Sequence, residues 1–130
     1  MTGRTVDALW EGGLRCTVQA GRFQLTVDEP EQSGGTDTGP QPTDLFLASI
    51  ASCFVLSIAW AAKKRGIGLG DLQVSTTGVY DGLRFAEVVV TVSCDPLPAE
   101  FEHLLRAAER VCYVSNSLLQ PPTLEVRTKP

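Results

Sequence analysis

The sequence predicts an α+β fold, a mostly antiparallel sheet around one long, buried central helix. Three observations predict it. Residues 5–28 and 72–94 carry alternating apolar and polar side chains broken by glycine turns. Residues 45–62 hold fifteen apolar side chains in eighteen, too long a run for a strand. A second segment, 99–112, places apolar residues at helical spacing. The resulting order is β-β-β-α-β-β-α-β, an α+β arrangement. The 130 residues suit a single domain, 1–130.

In chain order, Trp10 closes the first strand pattern and Glu11-Gly12-Gly13 forms a turn. Phe23, Leu25 and Val27 alternate with Gln24 and Thr26, a half-buried strand after a hairpin turn at Ala20 and Gly21. Residues 28–41, DEPEQSGGTDTGPQ, read as a loop, too short to separate two domains and placed to pack over an active-site mouth. Pro42 suits the first helical turn, and Asp44 suits the positive end of the helix. Lys63, Lys64 and Arg65 suit the negative end, and Gly66 stops the helix.

That helix approaches the length of a membrane span. Three serines interrupt the run, five of its residues are alanine, and the remainder of the chain is strand-rich. A core helix of a soluble protein, covered by sheet on one side and by a further layer on the other, is the expectation. Residues 72–80 and 84–94 pair through Asp81 and Gly82. Pro96 and Pro98 lead into the second helix, whose Phe101, Leu104, Leu105, Ala108 and Cys112 share a face. A last strand is expected at 124–127, after Pro121 and Pro122.

Composition narrows the function. Apolar residues make up 43% and charged residues 20%, so the chain is globular. The net charge of −4 argues against nucleic acid, which requires a basic surface. The first residues form no charged-then-apolar leader, so a reducing cytoplasm is expected, where four cysteines are not permanent bridges. With a single histidine and no C-x-x-C, no metal site is expected. A Ser-His-Asp site would rest entirely on His103, which lies in a polar helical stretch. No organic cofactor is expected. The glycines at 66, 68 and 70 follow a helix rather than a strand, the wrong context for a dinucleotide loop.

The cysteines carry the remaining signal. Cys53 lies midway along the apolar helix, on one stripe with Ser49 and Ser57 and close to Ser52. Small residues there also admit a neighbouring helix, and a buried thiol is inert unless a cation lowers its pKa. Cys112 ends the second helix on its apolar face and, taken alone, reads as a core residue before a Ser/Asn turn. Cys16 and Cys94 lie in or beside strands and read as structural.

Two segments together resemble the OsmC/Ohr family. GPQPTDLFLASIASCFVLSIAWAAKKRGI is similar to its first cysteine motif, and AERVCYVSNSLL to its second. The 59 positions from Cys53 to Cys112, spanning a hairpin and a helix, also fit. The resemblance covers nearly the whole chain and implies an OsmC-like fold in an intertwined homodimer, with long helices wrapped by sheets of both subunits. It implies a thiol peroxidase for organic hydroperoxides, with Cys53 attacking and Cys112 resolving through a Cys53–Cys112 disulfide. A dithiol reductant, typically lipoyl, is implied for the return to thiols. The family's arginine falls best on Arg15, ahead of Arg22 and Arg4, as the permanently charged partner of thiolate or alkoxide.

The chain departs from the peroxidase pattern at three places. Thr43 stands where a glutamate anchors that arginine, and Asp44 points to the helix face opposite Cys53. Tyr113 stands where proline follows the second cysteine, and Glu109 and Arg110 stand near the place of a histidine. These differences point towards the general OsmC-like branch. Two alternatives follow: a non-catalytic module that holds a small apolar ligand in the dimer cleft, and a thiol–disulfide exchange protein.

Overall fold

The structure, a computed structural model, describes residues 2–129. The chain divides into two compact units, one up to Phe46 and one from Leu47 onward.

In the first unit, strands β1 (Asp7–Trp10), β2 (Cys16–Ala20) and β3 (Phe23–Val27) form an antiparallel sheet in that order. Ala20 pairs with Phe23, so the turn consists of Gly21 and Arg22, with Gly21 at the positive φ of 61° that a two-residue hairpin needs. The polar loop after β3 is organised by one side chain. Asp28 is buried, and its carboxylate accepts five hydrogen bonds of 2.5–3.2 Å: from the N–H groups of Glu29, Thr36 and Thr38 and the hydroxyls of Thr36 and Thr38. A 3-10 turn, Glu31–Ser33, lies inside the loop. Gly35 passes so close to this backbone that a Cβ there would sit 2.0 Å from the Glu29 carbonyl oxygen.

Helix α1 (Pro42–Lys64) begins at the end of this unit. Proline at its first position loses no intrahelical bond, and the Asp44 carboxylate accepts the Gln41 N–H at 3.2 Å. The helix ends as anticipated: Gly66 takes φ 64°, and the Ile67 N–H donates to the Ala62 carbonyl at 2.9 Å.

In the second unit, β4 (Asp71–Asp81) and β5 (Arg84–Asp95) form a long antiparallel hairpin with a bulge at Val79 and Tyr80. Their burial alternates, with Leu72, Val74, Val88, Val90 and Val92 turned inward. Helix α2 (Phe101–Val111) and α1 pack on that face. Ile58, Ala61 and Ala62 of α1 meet Phe101, Leu104, Ala107 and Ala108 of α2 and Cys94 of β5. Fully burying a residue such as Ile58 or Leu104 contributes roughly 2 kcal/mol.

Two expectations need correction. The segment after α2 is not a Ser/Asn turn but a short helix, α3 (Tyr113–Leu119), started by Cys112, whose sulfur accepts the Ser115 N–H at 3.5 Å. The strand expected at 124–127 does not form. The segment pairs with neither sheet, and Leu124 and Val126 are each 89% exposed. Helix α1 buries Ile50, Phe54, Ser57, Ile58, Ala61 and Ala62, while Leu56 remains 68% and Trp60 47% exposed. The second layer anticipated over this helix is not supplied within the second unit. Among the described residues, α1 is the one helix with the length and hydropathy of a membrane span, and its inner face lies in this core.

Candidate active site

The site is built from α1 and the α2–α3 junction. Helical spacing puts Ile50, Phe54 and the half-buried Cys53 towards the sheet, where they meet Cys112, Val88, Val90 and Val114. Cys112 is fully buried at the corner between α2 and α3, with φ −78° and ψ 102°. That extended residue turns the chain so that the first N–H groups of α3, which have no partner within their own helix, face α1.

The two thiols come together here: Cys53 packs against the cluster that holds the buried Cys112, and the Cys112 thiol is one of the groups that favour a Cys53 thiolate. Burial raises the pKa of Cys53, as it does for any thiol among apolar groups. Hydrogen bonds from the Val114 N–H, the Cys112 thiol, the Ser57 hydroxyl and the Tyr113 N–H outweigh it, and the net shift is downward. The sequence asked for a cation to ionise Cys53, whereas these donors are all uncharged. The Ser57 hydroxyl is the one element of this set that the stripe on α1 made visible. The backbone donors are not visible in the sequence, because the Ser/Asn pattern after Cys112 suggests a turn rather than the helix that presents them.

Cys53 opens into a hollow of about 620 Å³ whose walls include Leu56, Trp60, Val111 and Tyr113. Arg110 and Asn116 also line it. Among the described residues, Arg110 is the only charged side chain on this lining. The Asn116 amide donates to the Arg110 carbonyl at 3.2 Å and so ties α3 to the last turn of α2.

Arg15 lies in the first unit, on the turn before β2. Its guanidinium pairs with Glu11 at 3.4 Å, and Glu11 also accepts the Thr17 hydroxyl. The carboxylate paired with Arg15 is Glu11, four residues back on the same turn, rather than Asp44. Thr43 instead hydrogen-bonds to Gln41 at 3.4 Å. Cys16 opens β2 opposite Trp10 and Val27. Cys94 is buried in the core and donates to the Pro96 carbonyl at 3.6 Å. His103 is exposed on α2. All four cysteines are free thiols, and no cluster of metal-ligating side chains occurs among the described residues.

The sequence model of a protein family described as OsmC-like protein matches residues 35–127. An uncharacterized protein of Haloferax volcanii is 31% identical over 83% of this chain and 81% of its own length. The solved OsmC-like protein of Mycoplasma pneumoniae superposes with a TM-score of 0.74 at 17% identity, covering 92% of this chain and 89% of that one. An organic hydroperoxide resistance protein of Elizabethkingia anophelis superposes at 0.64 with 26% identity over 89% of each chain.

Proposed function

This chain belongs to the OsmC-like protein family, and from that premise we propose that it reduces organic hydroperoxides through Cys53 and Cys112. The observation that carries the reading is the packing of Cys53 against the cluster of the buried Cys112, with Cys53 open to an apolar hollow and its pKa lowered. The name of the Elizabethkingia relative points the same way.

The chemistry runs in two balanced steps. The Cys53 thiolate attacks the terminal peroxide oxygen. The O–O bond breaks, an S–O bond forms, and the departing alkoxide takes up a proton and leaves as an alcohol. Cys53 is oxidised to a sulfenic acid as the peroxide is reduced. The Cys112 thiol then attacks the sulfenic sulfur. A disulfide forms and water leaves. An external dithiol, for which a lipoyl group is the proposed source, takes the two oxidising equivalents and restores both thiols. Arg15, held by Glu11, keeps the role that the resemblance gives it, a guanidinium for thiolate or alkoxide. Apolar walls favour greasy peroxides over hydrogen peroxide.

The test is to treat reduced protein with cumene hydroperoxide and map the products by mass spectrometry. A Cys53–Cys112 bridge is expected. Cys112→Ser should stop at a Cys53 sulfenic acid that dimedone traps. If Cys53→Ser consumes peroxide as fast as the parent, the assignment is wrong. Adjacent thiols also suit thiol–disulfide exchange. Faster reaction with a small disulfide than with cumene hydroperoxide would favour that second reading.

A further inference from the structure

The second thiol stands at a corner that little packing holds. Cys112 is fully buried between α2 and α3. Helix α3 has seven residues and buries none of them completely, and a helix of that length does not stay folded by itself. Val114 anchors it in the cluster of the two thiols. The remaining ties converge on the corner. The Asn116 amide donates to the Arg110 carbonyl at 3.2 Å, and the Asn116 N–H donates to the Cys112 carbonyl at 3.0 Å. The Ser115 N–H donates to the Cys112 sulfur at 3.5 Å. Arg110 belongs to the last turn of α2, where carbonyl groups have no partner in their own helix. Asn116 therefore brackets Cys112, and its amide is a side-chain tie that spans the corner. None of these contacts uses the outer face of α1, so a second copy seated on Leu56 and Trp60 leaves them intact.

We propose that Asn116 is a positioning residue for the second chemical step: its amide holds Cys112 where it reaches the Cys53 sulfenic acid, and so shields that acid from a second peroxide. The role rests on the peroxidase reading. Two reactions compete for the sulfenic acid. In resolution, the Cys112 sulfur attacks the Cys53 sulfur, an S–S bond forms, the S–O bond breaks, and hydroxide leaves with the Cys112 proton as water. In overoxidation, the Cys53 sulfenate attacks a further hydroperoxide. Its O–O bond breaks, a second S–O bond forms, and an alcohol leaves behind a sulfinic acid that thiols do not reduce. Resolution is intramolecular, so its rate follows how often the two sulfurs stand in attacking geometry. Overoxidation involves Cys53 alone. The clamp on Cys112 therefore sets the partition between them.

Reduced protein is mixed with cumene hydroperoxide and quenched at intervals with dimedone, and Cys53 is mapped by mass spectrometry. Asn116→Ala should lower the first-order rate of disulfide formation about tenfold, the factor for one hydrogen bond that no longer orients a reacting group. The peroxide concentration that converts half of Cys53 to sulfinic acid should fall by the same factor, because both reactions draw on one intermediate. Asn116→Gln, which keeps an amide donor, should recover part of both. Asn116→Asp, isosteric but without the donor, should behave as the alanine variant and repeats the test should that variant unfold. Disulfide formation at the parent rate in both donorless variants overturns the proposal. So does a lower melting temperature with an unchanged partition, the mark of a merely structural role. Without peroxide, the Cys53–Cys112 equilibrium in a glutathione buffer should shift about tenfold towards the dithiol in Asn116→Ala. If neither the parent nor Cys112→Ser forms a Cys53 sulfenic acid, the peroxidase reading falls, while that equilibrium still decides for or against the clamp.

Discussion

A thiol half-buried on an apolar helix loses hydration of its anion, so burial alone would leave Cys53 protonated and unreactive. Donors from the Val114 and Tyr113 backbone, Cys112 and Ser57 reverse that balance. Because the shift is downward, the sign of its consequence is fixed. Between the folded pKa and the ordinary thiol value of about 8.5, the unfolded chain holds a proton that the native protein has released. Ionised Cys53 therefore adds stability that is complete above the unfolded value and is lost as pH falls through the folded one. Alkylation of Cys53 by iodoacetamide should accordingly reach half its plateau rate at a lower pH in the native protein than in the unfolded chain, whose thiols titrate at about 8.5. Ser57→Ala, which removes one of the donors, should move the Cys53 midpoint upward. A native midpoint above that of the unfolded chain would mean that desolvation wins and Cys53 is a packing residue.

At the scale of elements, legibility in the sequence follows how local the cause is. Helix α1 ends where Pro42 and Gly66 put it, because both act through their own φ angles. The β4–β5 hairpin was legible from alternation and from Asp81-Gly82 for the same reason. Helix α3 was not, because Tyr-Val-Ser-Asn-Ser is a poor helix former and its start depends on the Cys112 sulfur acting as cap. The two thiols were legible as candidates only through the family motifs, and their donors only through the fold. Asp28 was missed altogether: its partners lie eight and ten residues away, at no regular period. Its carboxyl is held far below the usual range, by the Thr36 and Thr38 hydroxyls first, against a smaller opposing effect of burial. The contribution is therefore full at neutral pH and is lost on acidification through the folded value. Asp28→Asn keeps the shape but halves the acceptor set. Cleavage within residues 29–38 by a dilute protease should then rise about tenfold or more, the factor expected from weakening charge-assisted hydrogen bonds. An unchanged cleavage rate would show that the loop is held by other contacts.

At the scale of the molecule, too much apolar surface lies open. In the first unit Leu9, Trp10 and Phe23 of the β1–β3 sheet are exposed. In the second, Leu56 and Trp60 on α1 and Leu124 and Val126 in the tail are exposed. Patches of this kind on a chain of 130 residues mark surfaces that another chain covers. The tail adds a geometric requirement, since its alternation of Leu124 and Val126 with Glu125 and Arg127 fits a strand whose edge lies elsewhere. A second copy of the chain meets both needs, and the homodimer implied by the OsmC-like resemblance is the state we predict. The only two tryptophans, Trp10 and Trp60, are both exposed, so they report on association. Sedimentation velocity at micromolar concentration should give a dimer with blue-shifted tryptophan emission, and its melting temperature should rise with concentration. Leu124→Asp combined with Val126→Asp should weaken the dimer and lower the melting temperature. A monomer at every concentration, with the emission of solvated indole, would require these surfaces to be covered by a different partner.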